Sequence, residues 1–260
     1  MEVIFIRKNK IMLLGVAILL VLSLVLTGCK ALKAKKLDPA TVTEISGNGD
    51  RALIVTSNSE LWASGWSSNG ELGIVSRGEK PVKLADGVKQ AIALPRSTIY
   101  LAEDGTLWVM GNDQDFKVFP EAVEKARGNH RRYLTKTKVL TGVRKIAAGE
   151  EHVLILRDNG ELLGFGDNTF GQLGSDQLAR LETIAQDVID MFAGGDRSYY
   201  LTKDGQLFAC GANGWGELGF GEWGIISFKG SNHRPIAHST PQKMADDVKR
   251  FCRPATYPDS

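Results

Sequence analysis

Short apolar or alternating runs recur along the chain in pairs: ALIVT with ELWASG, TIYLA with TLWVMG, VLILR with ELLGFG, and YYLTK with QLFACG. Runs of this length read as β-strands, because alternate side chains point to opposite faces of a sheet. Between the members of each pair lies a turn pair: Asn58-Ser59, Asp104-Gly105, Asn159-Gly160 and Asp204-Gly205. Asn-Gly and Asp-Gly favour two-residue hairpins whose central residues both take positive φ, so the pattern predicts four such hairpins. A further strand start precedes each one: Glu44-Ile45-Ser46, Gln90-Ala91-Ile92, Lys145-Ile146-Ala147 and Asp190-Met191-Phe192. Val88, Val143, Val188 and Val248 lead into the unit that follows. Each unit is thus an antiparallel sheet of three or four strands. It cannot bury both faces alone, so neighbouring units must stack.

A glycine follows each turn at fixed distance: Gly65, Gly111, Gly166 and Gly211, spaced by 46, 55 and 45 residues. Three of them open a recurring sequence, GWSSNGELG at 65–73, GDNTFGQLG at 166–174 and GANGWGELG at 211–219. A period of about 45–60 residues with several strands per unit suggests propeller blades. Residues 147–174, AAGEEHVLILRDNGELLGFGDNTFGQLG, resemble the repeat of the regulator of chromosome condensation family, with its Gly-x-x-His start, hairpin and G-x-N-x-x-G-Q-L-G close. The third unit matches in full through His152. Arg51, Ser97 and Arg197 stand at the His position of the other units, and the second, reading GNDQDFKVF, has lost the closing motif.

The resemblance covers residues 43–250 and implies an all-β propeller, usually of seven blades. Four are visible, at about 43–90, 91–145, 146–190 and 191–250, with the start of a fifth at 251–260, where Phe251 falls as Ile146 does and Tyr257 as His152 does. Three readings of that count stay open: a smaller or open ring, a ring completed by two chains, or a truncated reading frame. The Leu of each ELG or QLG is expected to pack between blades. Asn168 and Asn213 are expected to cap their turns with side-chain amides.

The first residues differ in kind. Arg7, Lys8 and Lys10 precede an apolar run from Ile11 to Leu26, and Leu26-Thr27-Gly28-Cys29 follows. This resembles a bacterial lipoprotein signal and implies a signal peptide at 1–28, lipidation of Cys29 with diacylglyceryl and palmitate chains, and a basic linker at 29–42. Of 32 basic and 30 acidic residues in the whole chain, 29 of each remain after residue 28. Lys30, Lys33, Lys35 and Lys36 lie next to the lipid site, where they meet anionic headgroups. Residues 37–260 then hold 25 basic and 29 acidic residues, a balance that argues against nucleic-acid binding. The expected location is a bacterial cell membrane or outer membrane, on the extracytoplasmic side.

Candidate chemistry adds little. His130, His152, His233 and His238 form no metal motif, and no nucleophile-elbow, zincin or phosphate-loop sequence is present. The adjacent acids Glu150-Glu151 and Asp246-Asp247 point to opposite faces of a strand and make poor dyads. No cofactor, metal or catalytic set is expected. Cys210 and Cys252 read either as small buried hydrophobes or as a disulfide.

Loop length is uneven. Two units carry insertions, at about 113–137 and 218–241, and a short helix is expected over Glu121 to Arg127. Equivalent loops of stacked repeats emerge on one face, often the binding face. The candidate partner-binding residues are therefore Trp66, Phe170, Trp215, Phe220, Trp223, Phe228 and Arg234. The expected function is a membrane-anchored binding module for a protein or envelope ligand, able to self-associate if the ring is incomplete. The alternatives are a cell-envelope enzyme or assembly factor, or a non-functional fragment of a longer propeller.

Overall fold

A computed structural model of the protein describes residues 36–67, 70–74, 76–78, 80–126, 133–175, 181–221, 224–227 and 233–250. The strands fall into four blades. Blade one holds β1 (Val42–Asn48), β2 (Arg51–Thr56), β3 (Leu61–Ser67), the two-residue β4 (Ser76–Arg77) and β5 (Val82–Ala85). Blade two holds β6 (Val88–Ala93), β7 (Ser97–Ala102), β8 (Leu107–Asn112) and β9 (Tyr133–Leu140). Blade three holds β10 (Val143–Ala148), β11 (His152–Arg157), β12 (Leu162–Gly166) and β13 (Glu182–Ala185). Blade four holds β14 (Val188–Gly194), β15 (Arg197–Thr202) and β16 (Leu207–Ala212), joined by β19 (Ala237–Ala245) after a small extra hairpin, β17 (Ile225–Ser227) with β18 (His233–Pro235). Every strand pair is antiparallel, and the described residues from Leu37 onward belong to one compact unit.

The hairpins are where expected but are not two-residue loops. In each, the last residue of the second strand donates and accepts across a three-residue loop: Arg157 N donates to Glu161 O at 2.9 Å and Gly160 N to Arg157 O at 3.1 Å. The same pair of bonds recurs around Ser59, Gly105 and Gly205. Positive φ falls on one residue per turn, 56° at Ser59 and 76–83° at the three glycines. This is a type I turn followed by a left-handed residue and a bulge, which needs one permissive backbone position rather than two. The Asn or Asp before it caps the exit: Asp104 Oδ1 accepts from Thr106 N at 2.9 Å, and Asn159 Oδ1 from Glu161 N at 3.0 Å.

Consecutive blades are clasped through these turns. Val88 N donates to Ser59 O, Val143 N to Gly105 O, Val188 N to Gly160 O and Val248 N to Gly205 O, all within 2.8–3.0 Å. The apolar cores then lie between blades rather than within them. Leu53, Val55, Leu61 and Leu72 of blade one meet Val88, Ala91 and Tyr100 of blade two. Ile99, Leu101 and Leu107 meet Ile146, Val153 and Ile155. Leu154, Leu156 and Leu173 meet Val188, Met191 and Tyr200. The Leu of the closing motif packs between blades as expected at Leu72 and Leu173, and Leu218 is buried in blade four.

Blade two has lost that Leu, and its insertion replaces it. A 3-10 turn at Asp113–Phe116 leads to α1 (Pro120–Ala126), one residue earlier than the expected Glu121. Arg127 lies outside the described residues. Phe116, Phe119 and Val123 are buried in the core between blades two and three, where Phe119 meets Phe165 edge-on at 5.6 Å. Burying an aromatic ring there supplies the apolar area that the missing motif would have contributed. Cys210 is a free, buried thiol, raised to about 12 by burial, with Sγ directed at Gln172 O. Cys252 lies outside the described residues.

Candidate protein-binding face

The closing turns and the turns between the first two strands of each blade lie at one end of the blades, because β-sheet register puts them there. Gly65, Gly111, Gly166 and Gly211 pair with Arg51, Ser97, His152 and Arg197. Each of these glycines has φ of 108–112°. A Cβ on Gly166 would sit 2.4 Å from Glu151 O, and one on Gly211 2.1 Å from Asp196 O. The chain therefore turns sharply into the closing motif at a point that admits no side chain.

Asn168 and Asn213 cap these turns as expected. Asn168 Oδ1 accepts from Leu173 N at 2.8 Å while its Nδ2 donates to Ser175 O at 2.6 Å, and Asn213 Oδ1 accepts from Leu218 N at 2.9 Å. Blade one reaches the same result with a hydroxyl. Ser67 Oγ accepts from Leu72 N at 3.1 Å and donates to Ile74 O at 2.7 Å. A short polar side chain able to accept and donate is what the turn needs, and sequence inspection for Asn alone misses Ser67.

The residue at the His position matches the motif it faces. Arg197 Nη1 donates to Glu217 of GELG, and Arg51 Nη1 lies 3.5 Å from Glu71 of the other GELG. Where His152 stands, the motif reads GQLG with the uncharged Gln172. His152 is fully buried, its Nε2 lies 3.0 Å from Ser198 Oγ, and burial lowers its pKa to about 4 despite the nearby charge of Asp167. His152 thus meets a hydroxyl of the next blade, whereas Gln172 holds Phe170 N and Asp167 within its own turn. Where Ser97 stands, Asp115 of the insertion takes up its hydroxyl and also pairs with Arg96 at 2.7 Å.

Aromatic side chains project from this scaffold. Trp215 is 79% exposed and Trp66 51% exposed. The Trp215 backbone is held from beneath, since its N–H donates to Glu217 Oε2 at 2.9 Å. Phe170 stands at the same motif position in blade three, with its N–H on Gln172 Oε1 at 2.9 Å, and is half-buried. Phe220 is half-buried too, edge-on to His238 at 5.0 Å. Arg234 lies on the backbone of β18. Trp223, Phe228 and the lipidation residue Cys29 lie outside the described residues.

Carboxylates from the turns of blades three and four gather near one another. Burial raises the pKa of Asp196, and the charges of Glu150, Asp167 and Glu151 raise it further. Asp167 is itself partly buried, yet bonds from Thr169, Gln172 and Asn168 N–H hold it below the ordinary range. Beside them a cleft of about 250 Å³ opens between blades two and three, lined by Val118, Val153 and Phe165 and by the charged Arg96, Lys117 and Glu151. It lies where blade two has no closing motif. Among the described residues, no group of three or more His, Cys, Asp or Glu is placed to hold a metal ion.

Comparison with known proteins agrees with this geometry. The family described as Regulator of chromosome condensation (RCC1) repeat matches residues 143–172. The Ultraviolet-B receptor UVR8 of Arabidopsis thaliana is 26% identical over 212 residues, covering 73% of this chain and 46% of the receptor. An RCC1-like G exchanging factor-like protein of Mus musculus is 28% identical over 137 residues, covering 48% of this chain and 26% of that protein. Among solved structures, Prp20p of Saccharomyces cerevisiae superposes with a TM-score of 0.60 at 21% identity, covering 78% of this chain and 51% of Prp20p. The chain spans between 26% and 51% of the length of these relatives. Its described residues form four blades of a β-propeller built from repeats of the regulator of chromosome condensation type.

Proposed function

We propose that this chain is a lipid-anchored, extracytoplasmic binding module that holds a protein partner on the face formed by its closing turns. The observation that carries the reading is Trp215, a large aromatic exposed on a turn whose backbone is pinned by Glu217 and, through it, by Arg197. A rigid exposed aromatic gains contact area on binding at little entropic cost, which is why such residues anchor interfaces. The solved structures point the same way: a yeast protein of this fold is described with Kap60 bound to it. The anchor rests on the sequence around Cys29 and the four lysines that follow.

Two measurements test the two halves. A photo-reactive residue in place of Trp215, in the cell of origin, is expected to give a discrete protein adduct that the same group in place of Val82 does not give. No adduct at 215, or the same adducts at both, overturns the binding half. Cys29→Ser is expected to abolish labelling by radioactive palmitate and release the chain from membranes. Labelling or membrane retention in that variant overturns the anchor.

A further inference from the structure

The strand register repeats, so the junctions between blades can be compared position by position. The residue after the His position pairs with the residue before the motif glycine: Val153 with Phe165 in blade three, and Ser198 with Cys210 in blade four. At the junction of blades three and four, both members of that pair are covered from blade three. His152 Nε2 lies 3.0 Å from Ser198 Oγ, and Gln172 O accepts from Cys210 Sγ at 3.4 Å. The junction of blades two and three lacks both covers. Ser97 stands where His152 does, with its hydroxyl turned to Asp115, and blade two has no closing motif. The pair there is apolar instead of polar, and the cleft of about 250 Å³ has Val153 and Phe165 in its lining. The ring and the turn that fill one junction are absent from the other.

The two walls of the cleft differ in charge. Blade two contributes Arg96, Asp115 and Lys117, and blade three contributes Glu151 and Asp167. Arg96 is paired with Asp115 at 2.7 Å. Asp167 accepts from Thr169 Oγ1 at 2.6 Å and from Gln172 Nε2 at 2.9 Å, within its own turn. That leaves Lys117 and Glu151. Both are exposed, and among the described residues neither forms an ion pair, with the other or elsewhere. One cation and one anion thus line the same cleft without bridging it, beside an apolar surface.

We propose that this cleft binds a free α-amino acid with an apolar side chain. Its carboxylate faces Lys117, its ammonium faces Glu151, and its side chain rests on Val153 and Phe165, where the neighbouring junction holds the imidazole of His152. A zwitterion satisfies both charges at once. An apolar amine or an apolar acid would meet one of them as a like charge. The volume lies below the ~300–1,000 Å³ of sites that enclose drug-sized ligands, as a single amino acid requires. The site is separate from Trp215 and does not rest on the protein-binding reading.

Isothermal titration calorimetry on the full chain in mild detergent tests this, with L-phenylalanine as the probe. The expected result is saturable binding of one molecule per chain. Phenethylamine, which lacks the carboxylate, and hydrocinnamate, which lacks the ammonium, are each expected to bind at least about tenfold more weakly. Lys117→Gln and Glu151→Gln alter exposed side chains, and each is expected to weaken phenylalanine binding at least about tenfold while thermal unfolding stays unchanged. Trp215→Ala is expected to leave the affinity as it was. Absence of saturable heat with phenylalanine and with leucine at about 10 mM overturns the proposal. So does equal binding of either truncated analogue, full affinity in either charge variant, or loss of binding in Trp215→Ala.

Discussion

Arg197 donates to Glu217 across blade four, and Arg51 stands against Glu71 in blade one at 3.5 Å, so two blades close with the same ion pair at the same place. The surroundings differ. Arg51 also donates to Leu94 O at 2.9 Å and Pro95 O at 2.7 Å, which ties blade one to blade two, and its side chain is 9% exposed. The Arg197 pair is 26% exposed on each side. Arg51→Ala is therefore expected to cost about 3 kcal/mol, because it takes the cationic partner from a buried carboxylate and a donor from two carbonyls. Arg197→Ala is expected to cost only about 1 kcal/mol. Urea denaturation of the two variants side by side measures the difference, and equal losses would show that burial does not set it.

The motif glycines are expected to be intolerant. Gly166→Ala forces a Cβ to 2.4 Å from Glu151 O at φ 109° and is expected to cost about 3 kcal/mol or more. Gly49→Ala, at φ 54° with open space around it, is expected to cost about 1 kcal/mol. Thermal unfolding of both variants checks the contrast.

Stability is expected to fall in mild acid. His152 is neutral in the folded chain with its pKa lowered from 6.5 to about 4, chiefly by burial. The unfolded chain binds a proton there first as pH falls, so the stabilisation is fully present above pH 6.5 and is lost progressively down to about 4. The contribution is about 3 kcal/mol. Urea midpoints across that range are expected to slope with pH in the native chain and to flatten in His152→Gln.

The insertion of blade two is expected to be part of the core. Phe116→Ala removes a fully buried ring beside Phe165 and is expected to cost about 3–4 kcal/mol, matching Leu173→Ala in blade three. A loss below about 1 kcal/mol in calorimetry would mean that the insertion does not replace the closing motif.

Trp215→Ala is expected to separate binding from folding. An exposed side chain contributes within about 0.5 kcal/mol to stability. Loss of an interface anchor weakens a complex at least ~10-fold. Thermal unfolding together with titration of the partner found by crosslinking at 215 reads both quantities.

Much of the blade was legible because its determinants are local. Alternating runs specify strands, and Gly105, Gly160 and Gly205 mark turns whatever surrounds them. The loop type was not legible from the Asn-Gly and Asp-Gly pairs, since a two-residue and a three-residue turn use the same residues and differ in which of them takes positive φ. Substitutions of function were also hidden. Ser67 caps as Asn168 does because both accept and donate at one spot, and Phe116 fills the place of Leu173 although no spacing relates them. Of the candidate residues, Trp66 and Trp215 stand exposed while Phe170 and Phe220 fold partly inward, a difference set by neighbours such as His238.

By itself the sequence determined the repeat, the strands, the glycines that turn the chain and the leucines that bury between units, because backbone sterics and hydrophobic periodicity act over a few residues. The tertiary structure decided what one blade requires of the next. It lowered the His152 pKa by enclosing the ring, paired Arg with Glu in blades one and four, recruited Phe116 into a shared core, and left Ile45 and Phe192 facing outward where their equivalents are covered. The Arg–Glu pairs join residues 20 apart within one blade, whereas His152 meets Ser198 46 residues away and only the stacking of blades brings those two into contact.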